Sequence, residues 1–156
     1  MRKIILHFAI TLDGMVSNVE QWVALPDEAI EDTSADHETV DAIIFGKNTY
    51  APLAEYWQNA ETSSNSAAER AFAKKINHIH KYVLSHGRVE LAWKNSELLL
   101  VKDSETFKQE IERLKNIPGK NIWVDAGEGA WRSFLEHDLW DGIDMLVHPI
   151  VIGHGK

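Results

Sequence analysis

The 156-residue chain contains no cysteine. That excludes a disulfide framework and thiolate-held zinc or iron–sulfur clusters, and it suits a reducing compartment. The expected location is the cytoplasm. Long hydrophobic runs are also missing, since nothing approaches the roughly 20 apolar residues that span a bilayer. Met1-Arg2-Lys3 is basic, but Ile4 to Ile10 is interrupted by His7 and runs into Thr11-Leu12-Asp13-Gly14. It reads as a first strand and not as a signal peptide. Positive charge is short as well: 16 Lys and Arg face 24 Asp and Glu, a formal net charge of −8. Nucleic acid is disfavoured, because phosphate contacts need a basic face. A local anion site made of backbone N–H groups needs no such surplus. There is no Gly-x-Ser-x-Gly elbow to anchor a nucleophilic triad. His78-x-His80 has no third ligand at useful spacing, so no metal site is expected.

What is present is globular in character, with 44% hydrophobic and 26% charged residues. The length fits one domain able to bury a real core. Strand-like runs rich in Ile, Leu and Val cover Lys3–Ile10, Ala42–Phe45, Lys81–Leu84, Glu97–Val101, Asn121–Val124 and Ile143–Ile152. Helical patterns lie between them. Ser104 is a plausible N-cap for a helix carrying Phe107, Ile111 and Leu114, which Pro118-Gly119 stops. Ala68–Ile76 and Ala130–Leu135 read as two more helices. Glu61–Ala68 reads as a mobile surface loop, and the carboxylates from Asp27 to Glu38 as a solvated helix face. Strand–helix alternation of this kind predicts an α/β domain with a mainly parallel sheet covered on both faces. In such sheets the ligand sits at the carboxyl ends of the strands.

Four loops at that rim carry chemistry. Asp13-Gly14 places a carboxylate after the first strand, although an Asp-Gly pair is also ordinary turn chemistry. Gly46-Lys47-Asn48-Thr49 follows a buried strand and opens a helix. Free N–H groups, the Lys47 charge and the Thr49 hydroxyl would suit phosphate; equally, Gly46 reads as a turn glycine and Thr49 as a helix cap. The spacing is not that of a P-loop. Ser85-His86-Gly87-Arg88 would suit a ribose 2′-phosphate, or is a polar hairpin turn. Asp125-Ala126-Gly127-Glu128-Gly129-Ala130 has two glycines opening a helix, so backbone can approach a pyrophosphate closely. The dinucleotide fingerprint is incomplete, because Arg132 stands at the third glycine position. Of the six Trp, most are expected in the core or at its rim, with Trp22 placed to cover a flat ring.

In order along the chain, these segments resemble the dihydrofolate reductase-like superfamily, and more closely the carboxy-terminal reductase domain of the riboflavin-biosynthesis deaminase/reductase. They are Leu12-Asp13-Gly14, Gln21-Trp22-Val23, Val40 to Tyr50, Tyr82-Val83-Leu84-Ser85, Ile122 to Gly127, Leu139 to Asp144 and Val147 to Gly153. The resemblance implies a mostly parallel central sheet flanked by helices, NADPH as cofactor, and a homodimer. It implies a reductase of a small pteridine- or pyrimidine-like substrate, similar to 5-amino-6-(5-phosphoribosylamino)uracil reductase or dihydrofolate reductase. A non-catalytic ligand-binding or regulatory module on the same fold is the alternative. By position, Gly46, Lys47 and Thr49 would meet cofactor phosphate, and Ser85 would lie near the adenosine ribose. Trp22 would lie on the nicotinamide side, Ala126 and Gly127-Glu128-Gly129-Ala130 at the pyrophosphate, and Asp125 and Asp13 toward the substrate.

Three departures stand out. Asp125 replaces the Glu of the riboflavin enzyme, one methylene shorter. No deaminase domain or zinc-binding His/Cys set is present, so bifunctionality is not expected. The family adds a strand after the segment ending at Gly153, whereas this chain ends at Lys156, leaving that strand outside the sequence or one sheet edge unfinished. The whole reading requires the loops at Gly46 and Gly127 to meet at one rim of the sheet.

Overall fold

The structure is a computed structural model that describes residues 1–155. Six strands form one sheet: β1 (Ile4–Thr11), β2 (Val40–Gly46), β3 (His80–Ser85), β4 (Ser96–Leu100), β5 (Asn121–Asp125) and β6 (Gly142–His148). Their order is β4-β3-β2-β5-β1-β6. Every neighbouring pair is parallel, so the predicted mainly parallel sheet is fully parallel. Parallel strands need long crossovers, and helices supply them. They are α1 (Asp27–Asp36), α2 (Lys47–Ser63), α3 (Ala67–His78), α4 (Ser104–Asn116) and α5 (Glu128–Glu136).

The alternation of side chains along the central strands divides the core in two. On one face Ile43, Phe45, Val83 and Trp123 pack against Ile30 of α1, Tyr50, Ala54 and Trp57 of α2, and Phe72 and Ile76 of α3. On the other, Leu6, Ile44, Ile122 and Val124 meet Phe107, Ile111 and Leu114 of α4 and Phe134 of α5. A sheet buried on both faces requires near-continuous apolar strands, and the central ones have them. Truncating a residue such as Ile111, fully buried, would cost about 2–5 kcal/mol.

Several boundaries differ from the sequence reading. The Glu61–Ala68 loop shrinks to three residues, because α2 continues to Ser63 and α3 starts at Ala67. There the Ser66 hydroxyl accepts from the Glu69 N–H as the α3 cap. Polar composition alone does not stop a helix when Ala and Glu propensity sustain it. Helix α4 is capped by Asp103, not Ser104: Asp103 accepts from the Thr106 N–H, and the Thr106 hydroxyl accepts from the Asp103 N–H. The last strand ends at His148 and not Ile152, since Pro149 has no N–H to donate. His78 closes α3 while His80 opens β3, so the pair does not share a strand face. Among the described residues no group of His, Cys, Asp and Glu could hold a metal ion. Nor is any helix long and apolar enough to cross a membrane.

Candidate nucleotide-binding site

The topology itself opens a cleft. Strands β2 and β5 are neighbours, yet the helices that follow them leave to opposite faces, α2 onto one core and α5 onto the other. Chains that diverge from adjacent parallel strands create a crevice at the carboxyl edge. Gly46, the last residue of β2, and Gly127, just past β5, stand side by side there. A Cβ built on Gly46 would lie 3.3 Å from the Thr49 Oγ1, 3.5 Å from the Ala126 Cβ and 3.8 Å from the Gly127 nitrogen. The two phosphate-type loops therefore meet at one rim.

The first turns of α2 and α5 differ from those of α3 and α4. Ser66 and Asp103 cap α3 and α4 with side-chain acceptors, whereas Gly46 and Gly127 stand at the N-cap of α2 and α5 with no side chain to accept. The leading N–H groups of both helices thus lack that acceptor, and both dipoles present their positive end. Nothing lies within 4 Å of a Cβ at Gly127 or Gly129, so the space before that backbone is open. The Thr49 hydroxyl donates to the Gly46 carbonyl at 3.0 Å, which holds the α2 entry turn closed.

A cleft of about 640 Å³ runs from these turns across the ends of β3 and β4. Gly46, Lys47, Thr49, Ser85, Gly127, Gly129 and Ala130 line it, so seven of the ten residues expected to hold a cofactor converge. The other three stand apart. Ala126 is buried behind Gly46. Glu128 pairs with Arg132 on the outer side of α5 at 3.0 Å. Trp22 donates its indole N–H to the Ser17 carbonyl at 2.8 Å and meets His148 edge-on, with ring centroids 5.4 Å apart. It lies over the end of β6 and away from the cleft lining.

The sequence reading missed the far wall of the cleft. Val101, Asp103 and Ser104 follow β4, and Phe107 of α4 and His137, just past α5, complete that side of the lining. The rule that selected the other loops, a strand's carboxyl end, also selects Val101–Ser104. Of the Ser85–Arg88 turn, Ser85, His86 and Gly87 line the cleft and Arg88 does not. The Ser85 Oγ accepts from the Gly87 N–H, and the His86 ring nitrogen Nδ1 lies 2.8 Å from the Val101 carbonyl.

The two candidate carboxylates differ sharply. Asp13 sits in a tight turn where Gly14 takes φ +82°. Its carboxylate accepts from the Thr11 hydroxyl at 2.6 Å and from the N–H groups of Ile152 and Gly153. The Thr11 bond first, and then the Gly153 bond, hold its carboxyl below the usual range. Asp13 thereby clasps the segment after β6 to the end of β1. Asp125 is paired in register with Phe45, next to Gly46. Although its residue keeps some solvent contact, its carboxyl is hemmed in by protein. Desolvation pushes it above the usual carboxylate range, and His7 draws it partly back. A carboxyl that holds its proton more tightly than usual is the better disposed to act as a donor.

A parallel sheet whose crevice presents two glycine-led helix N-termini defines an α/β domain with an anion-accepting rim at the carboxyl ends of its strands. Comparison with known proteins makes the assignment specific: the profile of the RibD C-terminal domain matches residues 2–156, and the chain belongs to that family. It is 28% identical over 159 residues to the uncharacterized protein YyaP of Bacillus subtilis, with 99% of this chain and 79% of that protein covered. YwjB of the same organism, also uncharacterized, is 24% identical over 163 residues, with 99% and 80% covered. Among solved structures, RibD of Acinetobacter baumannii superposes with a TM-score of 0.63 at 17% identity, covering 99% of this chain and 48% of that one. The chain thus spans about half the length of that protein. The riboflavin biosynthesis reductase Rib7 of Saccharomyces cerevisiae gives 0.57 at 15% identity, covering 97% and 75%. These likenesses establish the dihydrofolate reductase-like, RibD-type reductase fold.

Proposed function

We propose that this chain is an NADPH-dependent reductase of a small heterocyclic substrate, pteridine- or pyrimidine-like. The observation that carries the reading is the adjacency of Gly46 and Gly127, which puts two helix N-termini without side-chain caps at one crevice. A diphosphate needs several N–H donors, positive dipole ends and no Cβ in the way, and these residues fit that requirement. Lys47 and Thr49 on one side, with Gly127, Glu128, Gly129 and Ala130 on the other, would hold the phosphates. Ser85 would lie by the adenosine ribose, Trp22 on the nicotinamide side, and Ala126 would support the Gly46 turn from behind.

Hydride chemistry belongs to the cofactor; the protein orients the partners and controls charge and water. Asp125 is the residue we assign to the substrate proton. Its raised carboxyl can donate to a ring nitrogen, and β5 places it one residue from the Ala126–Gly127 turn. Asp13 would face the substrate region from the β1 end while fixing the Ile152–Gly153 segment. We propose further that the protein is a cytoplasmic homodimer. The support is an apolar stripe on edge strand β6, where Ile143, Met145 and Val147 are about half exposed.

The test has two arms. NADP⁺ at a hundred times its dissociation constant should raise stability by about 2.7 kcal/mol, with NAD⁺ giving less. NADPH should then be oxidised in the presence of dihydrofolate or a ribosylaminopyrimidine, and Asp125→Asn should abolish it. Tight dinucleotide binding with no consumption across such a panel would replace the enzyme by a ligand-binding module. No binding of either dinucleotide would remove both.

A further inference from the structure

Strands β5, β1 and β6 are neighbours, and on one face they carry an unusual polar row. Asp144 of β6 is the register partner of His7 on β1. Leu6 pairs with Val124 on the other side, so Asp125 occupies the next rung beside His7. The result is carboxylate, imidazole, carboxylate across three adjacent strands. The His7 Nδ1 lies 3.0 Å from the Asp144 Oδ2. An ionised carboxylate can only accept, so Nδ1 carries the proton and the ring orientation is set. The ring is also clamped flat: it stacks on Trp123 with centroids 4.2 Å apart and planes 4° from parallel. A tether and a stack together leave the imidazole little rotational freedom.

We infer that His7 is a positioning residue for Asp125, held in place by Asp144 and Trp123, and that this row sets the protonation of the acid beside the cofactor cleft. The inference deepens the reductase reading, on which the functional importance of Asp125 rests. Its physical basis does not depend on that reading. A positive charge on the imidazole beside a desolvated carboxyl favours the ionised form, which opposes the effect of burial. The structure carries both effects: burial raises the Asp125 carboxyl and His7 lowers it. The Asp144 carboxyl lies below its usual range, chiefly because it accepts from His7. His37 meets Trp123 edge-on at 4.7 Å from the turn before β2, and it is kept neutral by burial and by His7. A proton donor whose acidity is tuned by a fixed neighbour suits a step that must deliver a proton and then recover it.

The experiment is a ¹³C titration of the aspartate side-chain carboxyls in the full chain, without cofactor, with Asp125→Asn identifying the signal. In His7→Phe a flat ring still stacks on Trp123 but carries no polar edge, and the Asp125 midpoint should rise by about half a pH unit or more. His7→Asn should raise it too, so a misfolded Phe variant would not leave the question open. Asp144→Asn gives a test of sign. A distant negative charge acting directly would, when removed, lower the Asp125 midpoint. Loss of the His7 tether raises it, and the double variant with His7→Phe adds no further rise. An unmoved midpoint in both His7 variants, or a fall in Asp144→Asn, overturns the inference. Failure of the reductase reading looks different: the midpoint shifts as described, but NADPH is not consumed with any heterocycle.

Discussion

A Cβ on Gly46 would rest in van der Waals contact with the buried Ala126, 3.5 Å from the Ala126 Cβ. The two glycine turns at this rim can therefore be tested separately. Gly46 has φ −75° and ψ 151°, which alanine adopts freely, and its tightest new contact is 3.3 Å to the Thr49 Oγ1. Gly127 has φ −78° and open space ahead of it. Gly46→Ala and Gly127→Ala should each leave the unliganded fold within about 1 kcal/mol of the parent. Each should weaken NADP⁺ binding at least tenfold, because the added methyl occupies the approach to the amides. Urea unfolding and calorimetric titration check the pair. Normal binding by both variants would mean that no diphosphate lies at this rim.

The crevice was legible in the sequence for a physical reason. Gly46 and Gly127 each follow a short run of Ile, Val and Phe or Trp, and a buried parallel strand has no other place to put a ligand than its carboxyl end. The same logic applied to β4 selects Val101–Ser104, but the apolar pattern sets that strand one residue late, at Glu97–Val101 in place of Ser96–Leu100, and its following cap at Ser104 in place of Asp103. Sequence gave no sign of the polar row, since His7, Asp125 and Asp144 become neighbours only through the order β5-β1-β6. Nor did it reveal that Lys81 and His37 are buried, because burial of a polar residue depends on partners from distant segments.

Lys81 illustrates that last point. It is fully buried on β3, and its ammonium donates to the carbonyls of Asn77, Ile79 and Lys94 at 2.8–3.1 Å while lying 4.6 Å from the centre of the Trp93 ring. These bonds tie the end of α3 to the loop before β4. Lys81→Met keeps the stem but strands three carbonyls, and should destabilise the protein by about 2–4 kcal/mol in urea denaturation. Because the cleft is built elsewhere, dinucleotide affinity of the folded fraction should stay within twofold. A neutral result would show that water satisfies those carbonyls.

Edge strand β6 supplies the prediction for assembly. Ile143 is 46%, Met145 51% and Val147 52% exposed, and they alternate along one face of the strand. A contiguous apolar row on a sheet edge is a surface for association. Light scattering after size exclusion should give a dimer for the parent chain. Met145→Lys should give a monomer with an unchanged far-ultraviolet spectrum, since the side chain contributes little to the monomer core. A monomeric parent, or a dimer indifferent to the lysine, would place the contact elsewhere or remove it.

His37 gives the chain a defined acid limit. It is buried between Phe72 and Trp123, and burial, assisted by His7, brings its imidazole from 6.5 down to about 4. The unfolded chain binds this proton near pH 6.5, while the folded protein resists it until about pH 4. Between those values the unfolded state holds more protons, so stability must fall as pH falls. The full effect of such a gap is about 3 kcal/mol, complete only below pH 4. Asp125 acts in the opposite sense, because its raised carboxyl takes up a proton earlier in the folded state than in the unfolded one. The parent therefore reports the sum, and a difference measurement is needed. His37→Phe retains an aromatic ring against Phe72 and Trp123 but cannot be protonated. Relative to the parent, it should gain stability steadily from pH 6.5 to pH 4, and the difference should be constant above pH 7. Urea midpoints taken at half-unit intervals measure this directly. A difference that does not change across the window would mean that His37 is protonated as readily in the folded protein as in the unfolded chain.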